Sequence, residues 1–171
     1  MAGMAYDPGT WHDFFVAAAG ATAALSGLIF VAVSINLPTI LDKEKEIGST
    51  YLTGRALESL AALLVVLGVS LAGLDPSIGR VAFAAVLLVS AAGSAVSPVR
   101  ATLAYRSSHV KPVAYTLRRF IALILVAAYA ISGVTLLTRG GGGLHWLLLA
   151  FLLAVTIAAS NAWILLVEVL R

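Results

Sequence analysis

Residues 11–36 read WHDFFVAAAGATAALSGLIFVAVSIN, and after Asp13 the stretch carries no charged side chain. As an α-helix it extends about 39 Å at 1.5 Å per residue, more than the roughly 30 Å hydrocarbon core of a bilayer. Four more runs of the same kind follow, and charged residues fall almost entirely between them. The pattern predicts an all-α polytopic membrane protein, one bundle of five transmembrane helices filling residues 1–171. The spans are placed at about 11–37, 56–74, 81–99, 120–137 and 144–170.

Composition supports this class. Of the 171 residues 61% are hydrophobic and 11% charged, whereas a soluble domain carries about 25% charged residues. The chain lacks the charge to cover a water-facing surface. Cysteine is absent, which excludes disulfides, thiolate catalysis and Cys-ligated metals. The first run offers small-residue sites like those of a secretory signal, but no Lys or Arg precedes it and its apolar core is too long. It reads as a retained spanning helix.

Local signals set the expected boundaries. Thr10 as N-cap with Asp13 three residues on forms an acidic capping box, and Trp11, Phe14 and Phe15 sit where an aromatic belt would lie. Pro38 biases Leu37 away from helical geometry, so the first helix is expected to end near Asn36. Asp75 and Pro76 make an N-cap and N1 pair for the third helix. Pro98 is placed to kink that helix. Gly140 to Gly143 form a flexible turn expected only to reverse the chain. No heptad pattern or longer repeat stands out.

Orientation follows from Lys and Arg in the short connections. Lys43, Lys45, Arg55, Arg100, Arg106, Lys111, Arg118, Arg119 and Arg171 fall on one side, against Arg80 and Arg139 on the other. The N-terminus is therefore expected outside and the C-terminus in the cytoplasm. Arg100, Arg106, Lys111, Arg118 and Arg119, without an acid among them, are expected to meet anionic lipid headgroups or a cytoplasmic partner, at about 1 kcal/mol per cation near such a surface. Nucleic acid is not expected.

Enzyme signatures are missing. His12, His109 and His145 are scattered, and none has a second His or a carboxylate at i+3 or i+4 to form a metal pair. No cofactor or metal is expected. Ionisable and strongly polar residues within spans carry more weight, because lipid makes them costly. Glu58 shares a helical face with Ala61, Ala62, Val65, Gly68 and Ala72, and small residues mark the side where membrane helices approach. It is expected to point into the bundle, within reach of Arg55. Asn161 shares a face with Ala150, Ala154, Ala158 and Glu168, and should bond across to another helix. Asn36, Glu58, Asn161 and Glu168 all lie in the cytoplasmic halves of their spans and together suggest a polar site open to that side. Ser70 and Ser132, in the outer halves, are expected to bond back to their own helices. Gly20, Ala24 and Gly27 form a small-residue seam on the first helix, expected to be its packing face.

Two segments carry a resemblance: GLIFVAVSINL, residues 27–37, and GGGGLHW followed by NAWILLVEVLR, residues 140–146 and 161–171. They resemble a family of small bacterial integral membrane proteins, some of which carry the label "modulator of FtsH protease". The resemblance implies the bacterial inner membrane and a role in membrane protein quality control.

The functional expectation is a non-enzymatic accessory or regulatory subunit acting through protein contacts, as a homo-oligomer or with a membrane-protein partner. The alternative is a homo-oligomeric ion channel or small transporter whose path uses Glu58 and Asn161. Five short helices leave little room for a pore within one copy.

Overall fold

The computed structural model describes the backbone of residues 4–47, 51–105 and 112–164, and the side chains of residues 5–46, 52–96 and 119–164. Two short 3-10 turns, Met4–Tyr6 and Pro8–Trp11, lead into five helices: α1 (His12–Ile47), α2 (Tyr51–Leu74), α3 (Arg80–Tyr105), α4 (Pro112–Thr138) and α5 (His145–Trp163). The described residues contain no strand. Among them, α1, α2, α4 and α5 are long and apolar enough to cross a membrane, and α3 contributes a shorter apolar stretch, Arg80–Val96. The helices pack mainly as the pairs α1 with α2 and α3 with α4, with α5 set against α1, α2 and α4.

The expected connection 100–119 is mostly helical, because α3 runs on to Tyr105 and α4 already starts at Pro112; three further boundaries differ. First, α1 does not stop near Asn36 but runs 36 residues to Ile47 with Pro38 inside it, about 54 Å in all. Proline deprives the Ser34 carbonyl of its helical partner, but Ser34 and Pro38 are both exposed. On the opposite side Asn36, Ile40 and Glu44, each four residues on, are buried and hold the helix line. Second, the 3-10 turn Pro8–Trp11 precedes α1, and its N-cap is Asp7, whose Oδ1 accepts from the Gly9 amide at 3.0 Å. Thr10 lies inside the 3-10 turn and donates to the Asp7 carbonyl. Third, Asp75 and Pro76 form a turn, and α3 starts at Arg80. Asp75 Oδ1 accepts from the Ser77 amide and hydroxyl at 2.8 and 2.6 Å, so its side chain is spent on the turn.

Helix faces are selected by shape. The buried line of α1 is Phe15, Ala18, Thr22, Ile29, Ala32, Asn36 and Ile40, with half-buried Leu25 completing alternating steps of three and four residues from Phe15 to Asn36. These are heptad steps. They escape a hydropathy reading because nearly every other position of α1 is equally apolar. Phe15 is wholly buried, and its ring occupies the space that a side chain at Gly73 of α2 would need. It also meets Phe83 of α3 edge-on, with ring centroids 5.5 Å apart. Between α3 and α4, a Cβ on Gly133 would fall 2.9 Å from Leu88 and 3.2 Å from the Ala84 carbonyl.

The seam expected on Gly20, Ala24 and Gly27 meets no packing partner among the described residues. All three are exposed, and a Cβ at Gly20 or Gly27 would meet nothing within 4 Å. Small residues do bring backbones together here, but at Gly73 and Gly133.

The Gly140–Gly143 turn is more than a reversal. Gly141, Gly142 and Gly143 have φ of 88°, 104° and 54°, a region that side chains disfavour. The Ala5 carbonyl accepts from the Leu144 amide at 2.8 Å. Ser132 donates to the Gly143 carbonyl at 3.1 Å, reaching across the turn instead of back along its own helix. Ser70 does bond back, to the Val66 carbonyl.

Two outcomes test this packing. Gly73→Ala should destabilise the protein by about 1–3 kcal/mol in denaturant unfolding from micelles, through overpacking against Phe15. Gly68→Ala on the same helix, where a Cβ meets nothing, should be neutral or gain up to about 1 kcal/mol from helix propensity. At the second turn, the Ser77 hydroxyl and then the Ser77 amide hold the Asp75 carboxyl below its ordinary value of 3.8. A depressed native value gives stability that is complete above the ordinary value and is lost as pH falls through the native one. The stability difference between wild type and Asp75→Asn should therefore change only as pH falls below about 4, in titrations of the unfolding midpoint.

Candidate polar site between α2 and α5

At the end of the bundle remote from the glycine turn, three side chains form one hydrogen-bonded unit. Arg55 on α2 donates through Nε and Nη2 to Asn161 Oδ1 on α5, at 3.0 and 2.5 Å. Asn161 Nδ2 donates to Ser59 Oγ at 2.5 Å. Ser59 Oγ in turn donates to the Arg55 carbonyl at 2.9 Å. Ser59 and Asn161 are buried, and Arg55 is half-buried.

Local sequence explains the geometry. Arg55 and Ser59 lie one turn apart, so they share a face of α2. Ala150, Ala154 and Ala158 are buried along the same side of α5 as Asn161, and their small side chains let α5 approach α2. A guanidinium stays protonated and has donors only. Away from bulk water it needs acceptors, and the amide oxygen supplies one to two of its N–H groups. The amide then passes its own donor to a serine. Such a chain fixes helix register, because sliding α5 by one residue would break all the inter-helix bonds at once.

A second clamp lies on the adjacent flank. Glu44 of α1 is buried and accepts from Thr53 twice, from the amide at 2.7 Å and from the hydroxyl at 2.8 Å. Thr53 belongs to the first turn of α2, where unsatisfied amides and the helix dipole favour a carboxylate. The N-terminal turns of α2 are thus gripped by α1 through Glu44 and by α5 through Asn161.

The structure distributes the residues singled out from sequence as follows. Asn161 is in the unit with Arg55. Glu58 is half-buried, as are Ala62, Val65 and Ala72 on its face, whereas Ala61 and Gly68 are exposed; its neighbour Ser59 is buried. Asn36 is buried at the same end and donates to the Ala32 carbonyl of its own helix at 3.1 Å. Arg119 is exposed. Glu168, Arg106, Lys111 and the side chains of Arg100 and Arg118 lie outside the described residues. Sequence reasoning missed Ser59 and Glu44. The R-x-x-x-S spacing on α2 was the available signal for Ser59. Glu44 had none, because only an α1 continuing past Pro38 brings it to Thr53.

No family model matches this chain, and neither a curated protein nor a solved structure matches it.

A double-mutant cycle tests the unit. Arg55→Met and Asn161→Leu should each destabilise the bundle, and their combination should cost less than the sum. The expected coupling is about 0.6–1.7 kcal/mol, the range for hydrogen bonds between membrane helices. Additive effects would show that the pair is not coupled.

Proposed function

We propose that the chain is a non-enzymatic protein of the bacterial cytoplasmic membrane, acting through protein contacts as an accessory or regulatory subunit in membrane protein quality control. In this reading it crosses the bilayer five times, with the N-terminus outside. The Arg55 end then faces the cytoplasm, where the cations of the 100–119 connection and Arg119 meet anionic headgroups. No cofactor is required. The quality-control role rests on the sequence resemblance alone.

The observation that carries the contact reading is the outward face of α1. Gly20, Ala23, Ala24 and Gly27 are exposed along one side of a helix whose other side is packed. Val16, Leu28 and Val31, also exposed, stand beside them. In lipid a helix gains little by hiding apolar area, and association is driven by close backbone approach over small residues. This face supports such an approach by a helix of a second copy or of a membrane-protein partner. The Arg55–Asn161–Ser59 unit supports the same reading, since its bonds are made within the bundle and favour a fixed scaffold over a path for ions.

A photo-crosslinking residue at position 24 should capture a second copy or a partner helix in membranes, whereas one at buried position 63 should capture neither. Gly27→Leu should abolish the capture while shifting the stability of the isolated chain by less than about 0.5 kcal/mol, as surface changes do. Ion flux into liposomes carrying the purified protein, lost in Glu58→Gln, would overturn the reading in favour of a channel.

A further inference from the structure

The segment preceding α1 folds back over one end of the bundle. Ala5 and Pro8 are buried. The Ala5 carbonyl takes the Leu144 amide, and the Tyr6 hydroxyl accepts from the Gly142 amide at 3.4 Å. The Trp11 ring meets the His145 ring edge-on, centroids 5.0 Å apart. The fit to the glycine turn is steric as well as polar. A Cβ on Gly143 would lie 2.1 Å from the Ala5 carbonyl oxygen and 2.8 Å from the Tyr6 ring. Gly143 is thus required both for its left-handed φ and for the approach of this segment.

Beside Phe14 lies a water-sized cavity lined by residues of four helices, among them Phe14, Phe15, Ser70, Tyr129 and Phe151. The segment reaches it through Phe14. Trp11 packs edge-on against Phe14, which packs edge-on against Phe151, with centroids 5.6 and 5.7 Å apart. Both Tyr6 and Trp11 rest on the apolar cluster that holds Phe15, Tyr129 and Leu147. Tyr129, 2% exposed, and the buried Ser70 put two hydroxyls on this lining.

We infer that residues Met4–Trp11 form a strap, and that its release from the glycine turn opens this end of the bundle onto the Tyr129–Ser70 cavity. The Ala5–Leu144 and Tyr6–Gly142 hydrogen bonds and the Trp11–His145 ring pair are among the contacts that join the strap to the turn, while the helix seams below are packed over their length. Opening is therefore local and leaves the bundle folded. When the strap lifts, Trp11 leaves Phe14, the half-buried Phe14 and Phe151 rings are free to part, and the cavity they line becomes accessible from this end.

The absence of cysteine makes the test direct, because a single engineered thiol is the only one in the chain. Ser70→Cys places it in the cavity, and Ser59→Cys places one at the opposite end as a control. Labelling by N-ethylmaleimide is followed in protein reconstituted in nanodiscs. Each thiol is read with the strap intact and with it displaced in two independent ways. Gly143→Ala drives a methyl into the Ala5 carbonyl, and Tyr6→Ala with Trp11→Ala removes the strap's ring contacts while leaving the turn sequence untouched. Both should raise the labelling rate at position 70 at least tenfold and leave position 59 unchanged. An unchanged rate at position 70 in the ring variant would overturn the inference. So would a parallel rise at position 59, which would show loosening of the whole bundle.

Discussion

In lipid, burial of apolar surface cannot tell one side of an apolar helix from another, and steric fit has to do the selecting. The contact of the Phe15 ring with Gly73 is where that selection is sharpest. A single Cβ would fill the space that the ring occupies, so α1 and α2 have one rotation in which this ring is seated. The same ring meets Phe83, which brings α3 into register with both. From this point the heptad-spaced line of α1 follows, and with it the exposure of the opposite, small-residue side. The bundle turns its bulk inward where a glycine makes room and shows its glycines outward where none is needed.

Polar groups do at the ends what shape does in the middle. Away from bulk water an unpaired donor or acceptor is costly, so the polar groups that do not bond back to their own helix pin it to a partner. Arg55, Asn161 and Ser59 pin α5 to α2, and Glu44 pins α1 to the first turn of α2. At the other end the Ala5 carbonyl and the glycine turn do the same through main-chain groups. The two ends differ in kind. One is held by side chains that distinguish one residue from another, the other by backbone fit around glycines with positive φ.

That division explains what could be read from the residues in advance. The helices themselves were visible, since apolar runs bounded by charge need no knowledge of partners; α3 and α5 begin within about a residue of where the spans were placed, but α1 and α3 run past their expected ends and α4 starts before its expected beginning. The inward face of α5 was also visible, because Asn161 among alanines breaks its uniform apolarity. The inward face of α1 was not, because Gly20, Ala24 and Gly27 signal close approach without saying by what. Glu58 stood out as the conspicuous charge, yet its neighbour Ser59 carries the buried bond, a difference of 100° around the helix. The passage of α1 through Pro38 depends on Ile40 and Glu44 finding partners on α2, and no local rule reports that.

The distance in sequence between Arg55 and Asn161 has a consequence for how the protein is made. The Glu44–Thr53 clamp closes over nine residues, so α1 and α2 can join as soon as both have left the ribosome. Asn161 follows Arg55 by 106 residues, which at 5–20 residues per second is roughly 5–20 s of synthesis. Throughout that interval the guanidinium is without the amide of Asn161. The α1–α2 hairpin is therefore made well before the contact that ties it to α5, and α3 and α4 are laid down while that contact is still open. A chain stalled before residue 161 would lack this tie while keeping the Glu44–Thr53 clamp.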